Sequence, residues 1–550
     1  MASKQPSDNE RIKQESDFLR GHLAEAFADN STGDIPADEQ QLIKFHGTYL
    51  QDDRDQRLAL KKAGREKAWS FMLRLRMPGG RLKPAQWLAL DAMATEYGNE
   101  TLKLTTRQTV QIHGVLKRNM KATMQDIHRI AMDTLATCGD VARNVTASGY
   151  PEQSPAHREV HQMADALSTA LLPKTHAYHE LWLDEERIYT GQTEEEPVYG
   201  KTYLPRKFKI GIAIPPDNDI DVLTNDLGFI AIVEQGRVAG YNVVAGGGMG
   251  CSHGNPATFP RLADVIGFCL PDQVIDVAKA ALIIQRDYGD RTDRKHARLK
   301  YTIADRGLDW FRQTLTATLG HDLEAPRPFS FETTGDTFSP RPESRTIYVE
   351  GGRIVDKPGY ALRTAIREIA RIHHGDFFLT ANQNLIIAGI TPDTKAGIDA
   401  IMEEYRLNSR HSGMRLNSIA CTSLPTCPLA LAESERFLPG LIGQIEETLK
   451  ELNLEKEPIV TRMTGCPNGC ARPYAAELAF VGRAPGKYSL WVGGSHEGTR
   501  LARIYRESAT AEELPVLVRE LLIAFHDTRQ PGEHFGDWAT RTDQAPHAAS

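Results

Sequence analysis

The chain is poor in cysteine, with 7 in 550 residues, and has no apolar run long enough to cross a bilayer. So few cysteines exclude the dense disulfide framework of a small secreted domain. No apolar stretch follows the basic residues of the N-terminus, so no signal peptide is expected and the chain is placed in the cytoplasm. Positive charge is not in excess either: the net charge of −7 argues against general nucleic-acid binding. G-x-G-x-x-G and Walker sequences are missing, so this chain is not expected to bind NADPH or ATP itself. The apolar share of 41% and charged share of 25% are those of a globular protein, and 550 residues exceed one core, so several domains are expected.

Four of the seven cysteines fall in two tight pairs, Cys421 with Cys427 and Cys466 with Cys470. Thiolates are soft ligands for iron–sulfur clusters or zinc, and four is the number a cubane cluster takes. Two disulfides would use the same residues, but a reducing cytoplasm disfavours them. Structural zinc stays open, although C-x5-C and C-x3-C differ from the C-x2-C knuckles of zinc ribbons. An iron–sulfur cluster is the preferred reading. Cys138, Cys251 and Cys269 are scattered and read as core residues.

An internal repeat sets the expected architecture. Leu104–Gly114 (L-T-T-R-Q-T-V-Q-I-H-G) and Leu379–Gly389 (L-T-A-N-Q-N-L-I-I-A-G) agree at five of eleven positions. Each follows a strand and a G-G turn, from Phe71 and from Ile347, and a helix with an apolar stripe: Trp87, Leu90, Ala94 and Tyr97 in one, Leu362, Ile366, Ile369 and Ile372 in the other. Strand–helix–strand is thus expected twice, sharing one mixed sheet. A weaker repeat matches Tyr241–Gly247 with Tyr488–Gly494, which gives the order A, B, A′, B′. The expected divisions are an N-terminal, partner-docking arm over 1–70, of which residues 1–40 read as loose alone or packed on a partner, a paired-repeat domain over 71–135 and 340–408, an α/β domain over 136–339, and a cysteine-bearing α/β domain over 409–550. The segment after Trp538 reads as frayed.

Charge is sorted between the copies: Arg107 stands opposite Asn382, and His113 opposite Ala388. One asymmetric site at the pseudo-symmetric junction follows. By alternation Arg74 shares a strand face with Arg76, and Lys207 shares one with Lys209, leaving Arg206 and Phe208 opposite. Arg107 and Arg143 complete the basic set. Each alone is explained equally well as a solvated face; several among apolar strand neighbours point to an anion site, where a cation at 4 Å is worth about 4 kcal/mol at an effective dielectric near 20. The runs Gly246–Gly248 with Gly250, and Gly493–Gly494, either make sharp turns or let backbone approach a large flat ligand.

The run A-C-T-S-L-P-T-C-P-L-A-L-A-E-S-E-R-F-L-P, with T-G-C-P-N-G-C-A-R-P, resembles the siroheme and [4Fe-4S] signature of assimilatory sulfite reductases. The likeness extends to F-H-G-T-Y-L-Q-D-D-R-D from Phe45, L-R-L-R-M-P-G-G from Leu73, T-T-R-Q-T from Thr105, T-Y-L-P-R-K-F-K from Thr202 and R-T-D-R-K from Arg291. It implies an α+β and α/β fold in three domains, with a pseudo-two-fold, ferredoxin-like repeat domain and two related α/β domains around a central siroheme–cluster site. It further implies that Cys421, Cys427, Cys466 and Cys470 hold the cluster, with Cys470 also on the siroheme iron. Arg74, Arg143, Lys207 and Lys209 match substrate positions, while Arg107 and His113 match the siroheme side. The implied activity is the six-electron reduction of sulfite to sulfide, with electrons from NADPH through a flavoprotein (alpha) subunit that the N-terminal arm helps to dock. Ala471 departs from the glycine frequent after the last cysteine. Ferredoxin-dependent sulfite or nitrite reduction is the alternative within the family; lysine at both 207 and 209 favours sulfite, since nitrite enzymes tend to carry a neutral amide at the second position. A non-catalytic iron–sulfur or zinc module is the alternative outside it.

Overall fold

The computed structural model describes residues 5–150, 153–175, 196–408 and 410–544. The paired repeats build two sheets, not one. The first has the order β1 (Thr48–Asp52), β2 (Trp69–Arg74), β5 (Val110–Val115), β4 (Leu102–Leu104) and β12 (Arg353–Ile354); the second runs β11 (Ser344–Ile347), β16 (Leu385–Ala388), β15 (Asp376–Leu379) and β3 (Arg81–Leu82). Every neighbouring pair is antiparallel. The copies exchange their shortest strands: β12 of the second lies on β4, and β3 of the first lies on β15.

The G-G turns make this exchange possible. Gly80 and Gly352 adopt φ of +77° and +71°, and a Cβ on either would sit 2.5 Å from a carbonyl of the opposite copy, Leu379 or Leu104. Only glycine allows that approach. Helices Pro84–Glu96 and Leu362–Ile372 pack as the apolar stripes require, burying Trp87, Leu90 and Ala94, and Leu362, Ile366 and Ile369. Asp91 joins them, accepting from Arg363 Nε and Arg367 Nε at 2.5 Å each.

The two α/β units share one topology. β6 (Thr146–Ala147), β7 (Ile210–Ala213) and β8 (Leu227–Glu234) are parallel, then β9 (Arg237–Ala245) and β10 (Asp264–Cys269) turn antiparallel. β17 (Ser418–Ala420), β18 (Thr461–Thr464), β19 (Leu478–Ala484), β20 (Lys487–Val492) and β21 (Arg503–Thr510) repeat that order. The chain leaves β9 and β20 through Gly246 and Gly493 at φ of +89° and +90°. A small ribbon, β13 (Asp356–Lys357) with β14 (Tyr360–Ala361), lies outside the main sheets. The paired repeats and the first α/β unit share one continuous apolar core, whereas the second unit has its own, from Met414 to Ala539.

The N-terminal segment differs from a loose arm. Helices α1 (Asp8–Glu15), α2 (Leu23–Ala28) and α3 (Ala37–Leu42) pack on the body, burying Leu19, Leu23 and Leu42, and β1 is the edge strand of the first sheet. Lys13 is 2% exposed; its Nζ reaches Glu10 at 2.5 Å and the Leu204 carbonyl at 2.8 Å, and Glu10 pairs with Arg291. The segment reads as polar because its charges are spent on ion pairs within the chain. At the other end, helix Phe535–Arg541 (α4) continues past Trp538, and Thr540 Oγ1 donates to the Gly493 carbonyl at 3.2 Å. Residues 545–550, part of the tail expected to fray, lie outside the described residues.

Candidate active site

A cavity of about 390 Å³ opens where the first repeat, the first α/β unit and the second α/β unit meet. Arg74, Arg107, His113, Arg143, Lys207, Lys209 and all four paired cysteines line it. The sheet order explains how the thiols converge. β17 and β18 are parallel neighbours, with Ala420 beside Met463, so Cys421 and Cys466 emerge at the same edge of the second unit. The Gly465 amide donates to Cys421 Sγ at 3.3 Å, and Asn468 Nδ2 approaches Cys466 Sγ at 3.6 Å. All four are free thiols, which excludes the two disulfides. Burial and then Cys470 push the Cys421 thiol well above its ordinary range, and the same two causes take Cys466 to about 12. Cys421 and Cys466 cannot both ionise there without a positive centre beside them.

The glycine run of the first unit packs against this loop. The Cys251 amide donates to the Pro467 carbonyl at 2.9 Å, and a Cβ on Gly469 would lie 2.8 Å from the Met249 carbonyl. Gly250 reaches the cavity wall itself. The run therefore serves chiefly a close approach of two loops.

Opposite the thiols stand the cations. No carboxylate among the described residues forms an ion pair with Arg74, Arg107, Arg143, Arg206, Lys207 or Lys209. Burial and then Arg206 and Arg143 hold the Lys207 ammonium well below the ordinary lysine range; burial, Arg298 and Arg107 bring Lys209 down to about 7. Burial, with Arg143 and Arg74 adding, lowers the Arg107 guanidinium too. Such crowding is unfavourable unless anions fill the space.

Several residues depart from the alternation read from sequence. Arg206, expected opposite the lysines, also lines the cavity. Residues 203–209 are not a regular strand: Tyr203 has φ of +54°, and only an isolated bridge, Ala142 with Phe208, precedes β7. Arg76 leaves the site altogether, because its guanidinium is held by Asp133 at 2.5 Å. Cys138 is no ordinary core residue. Its Sγ lies 3.3 Å from Arg74 Nη1, and although burial raises its thiol, Arg74, Arg143 and Arg107 prevail and lower it. Sequence reasoning also missed Arg294 and Arg298, which line the cavity but are held by Asp140 and Asp226. The motif R-T-D-R-K carried the signal for Arg294.

Among the buried polar atoms of the residues that line this cavity, Arg107 Nη2, His113 Nδ1 and Gln51 Oε1 have no hydrogen-bond partner. With its amide turned so that oxygen faces Arg74, Gln111 accepts from Arg74 Nη2 at 2.5 Å and donates to His113 Nε2 at 3.2 Å. That leaves Nδ1 of a neutral His113 as a donor, since burial and Arg353 hold its pKa well below the ordinary value. Unmet donors beside unpaired cations fit a carboxylate-bearing ligand, and the volume fits one of considerable size.

Family models match the chain in two places. The description "Nitrite/Sulfite reductase ferredoxin-like half domain" covers residues 65–130 and 344–405, the paired repeats. "Nitrite and sulphite reductase 4Fe-4S domain" covers residues 162–323, in the α/β unit that carries no paired cysteines; its topological twin carries the four thiols. The Mycobacterium tuberculosis NirA structure superposes with a TM-score of 0.78 over 98% of this chain and 97% of that one at 23% identity, which shows the fold. The fold, the thiols and the cationic cavity define the class: siroheme- and [4Fe-4S]-containing oxidoreductases that reduce small oxyanions. The "Sulfite reductase [NADPH] hemoprotein beta-component" of Anoxybacillus flavithermus is 53% identical over 98% of this chain and 95% of its own length, and that of Bacillus subtilis is 52% identical with the same coverage. The chain belongs to this family of sulfite reductase hemoprotein beta-components. No helix among the described residues is long and apolar enough to cross a membrane.

Proposed function

We propose that this chain reduces sulfite to sulfide in the cytoplasm, taking six electrons that originate in NADPH and arrive through a flavoprotein subunit. The observation that carries the reading is the meeting in one cavity of four free thiols and a group of cations that have no carboxylate partner among the described residues. Cys421, Cys427, Cys466 and Cys470 would hold the cluster. Cys470 is the only exposed one of the four, with its carbonyl fixed by Thr106 Oγ1 at 3.0 Å, and would help to hold the siroheme as well as the cluster. Arg107 and His113 would receive siroheme carboxylates. When bound, these groups supply stored electrons and an electron-rich iron that binds sulfur.

The chain's own residues do the rest. Arg74, Arg143, Lys207 and Lys209 bind the dianion and stabilise charge on its oxygens. Balance requires SO₃²⁻ + 6 e⁻ + 7 H⁺ → HS⁻ + 3 H₂O, so each of the three S–O bonds breaks as its oxygen leaves as water. Lys209, brought down to about 7, donates protons to the departing oxygens near neutral pH, with Lys207 beside it in the same cavity. Two lysines also favour a doubly charged anion over nitrite. With the holoprotein and reduced methyl viologen, kcat/KM for sulfite should exceed that for nitrite. A nitrite preference of orders of magnitude would overturn the assignment.

A further inference from the structure

One wall of the cavity comes from the N-terminal segment, through Gln41, Lys44, Tyr49 and Gln51. The backbone there is pinned on both sides of Lys44. Ile43 and Phe45 are 1% and 3% exposed, the Ala136 amide donates to the Phe45 carbonyl at 3.1 Å, and Thr134 Oγ1 donates to the His46 carbonyl at 2.7 Å. A Cβ on Gly139 would lie 2.8 Å from the Phe45 ring, so glycine lets this turn close on the loop that leads to Arg143. Between these anchors Lys44 faces the cavity.

Lys44 is a cation without a carboxylate of its own. Its Nζ donates to Gln41 Oε1 at 2.6 Å and stands 5.8 Å from the centre of the Tyr49 ring, and among the described residues it forms no ion pair. Asp140 is the one carboxylate among the described residues that line the cavity, and both its oxygens are taken by Arg294, at 2.6 and 2.8 Å. A half-buried lysine often only stretches its stem over apolar surface and leaves its ammonium in water. Lys44 differs: burial, with Arg294 adding, brings its ammonium down to about 8.

Position separates Lys44 from the cations that hold substrate. Cys470 is among the charged neighbours of Lys207 and Lys209, whereas those of Lys44 are Arg294, Asp140, Arg206 and Cys138. Gln41, Lys44 and Tyr49 are each half-buried, so this wall reaches solvent. Arg206 neighbours both Lys44 and Lys207, and its guanidinium has no hydrogen-bond partner among the described residues. A row of cations runs from the N-terminal wall through Arg206 to Lys207 and Lys209.

We propose that Lys44 is the entry residue for the doubly charged oxyanion, holding sulfite at the mouth of the cavity and passing it by way of Arg206 to Lys207 and Lys209. The inference rests on the proposed function for its substrate, and it adds a residue of the N-terminal segment to the site. A focused positive potential raises the rate at which an anion is captured, and salt weakens it. An entry cation therefore acts on kcat/KM and leaves kcat alone.

The test uses the holoprotein with reduced methyl viologen, comparing wild type, Lys44→Met and Lys44→Arg over a range of salt. At low ionic strength Lys44→Met should lower kcat/KM for sulfite about tenfold through KM, with kcat and siroheme content held, and should flatten the salt dependence. Lys44→Arg keeps the charge and should stay within about twofold of wild type. An unchanged kcat/KM in Lys44→Met would overturn the proposal. So would an equal fall in kcat, which would put Lys44 in the chemistry, or a loss of siroheme, which would put it on the cofactor. Failure of wild type to reduce sulfite would remove the proposed function and the entry role together, an outcome distinct from any confined to Lys44.

Discussion

Arg472 donates from Nε to Oδ2 of Asp221, and the two residues hold equivalent places in the two α/β units. Both are left-handed, with φ of +56° and +48°, and each precedes a 3₁₀ turn, Pro473–Ala475 and Val222–Thr224. Arg472 Nη1 also donates to the Thr106 carbonyl at 3.2 Å and the Ala381 carbonyl at 3.1 Å, and Arg462 reaches the same Asp221 oxygen at 2.7 Å. One side chain, two residues beyond Cys470, thus joins both repeats and both units. Asp221→Asn should cost about 3–5 kcal/mol, as expected when one member of a buried pair is removed. Chemical denaturation measures this, and iron content should fall with it.

The cavity cations should separate by role. Arg74→Ala, Arg143→Ala and Lys207→Ala should each lower kcat/KM for sulfite by about 10²–10³ with siroheme still bound. Arg107→Ala removes a buried donor without a partner and should instead lower siroheme occupancy, read from the visible spectrum per mole of protein.

Deleting residues 1–40 should reach the site as well as the surface. It removes Lys13 and Glu10, takes the Glu10 carboxylate from Arg291, and takes away Lys13 as a neighbour of Asp140, which also holds Arg294 at the cavity wall. The truncated chain should melt at lower temperature and carry less siroheme than the full chain. Full siroheme content after the deletion would show that the segment does not support the cavity.

Asp219 gives a pH signature away from the thiols. Burial, with Asp217 and Asp336 adding, pushes its carboxyl up to about 7, while Oδ2 accepts from the Gly149 amide at 2.8 Å. Between the ordinary carboxylate range and about 7 the folded chain keeps a proton that the unfolded chain has released. Stability therefore falls as pH rises through that window. Asp219→Asn keeps the acceptor and removes the titration. At about pH 8 the variant should exceed wild type by on the order of 4 kcal/mol, with no difference at about pH 4.

Much of this was legible in the sequence because it was written as repetition and spacing. The equivalence of Gln108 and Gln383 is an example. Both are left-handed, and each side chain clamps the first strand of an α/β unit, at Ala147 and at Ala420. What escaped depended on contacts distant in sequence. Lys13 reads as solvated until Leu204 and Asp140 surround it. Arg206 reads as outward-facing until irregular backbone at Tyr203 breaks the alternation. The exchange of β3 and β12 needs a carbonyl of one copy against a glycine of the other, which no local pattern encodes.

The central claim is that the four thiols and the cationic cavity form one cofactor-bearing site. The most direct measurement is the visible spectrum of purified protein, with iron and acid-labile sulfide assays, for wild type and Cys470→Ser. Wild type should be coloured and hold about five iron and four sulfide per chain, whereas Cys470→Ser should lose the joint centre and Cys269→Ser keep it. A colourless, zinc-containing wild type, or a Cys470→Ser variant with an unaltered spectrum and iron content, would contradict the account.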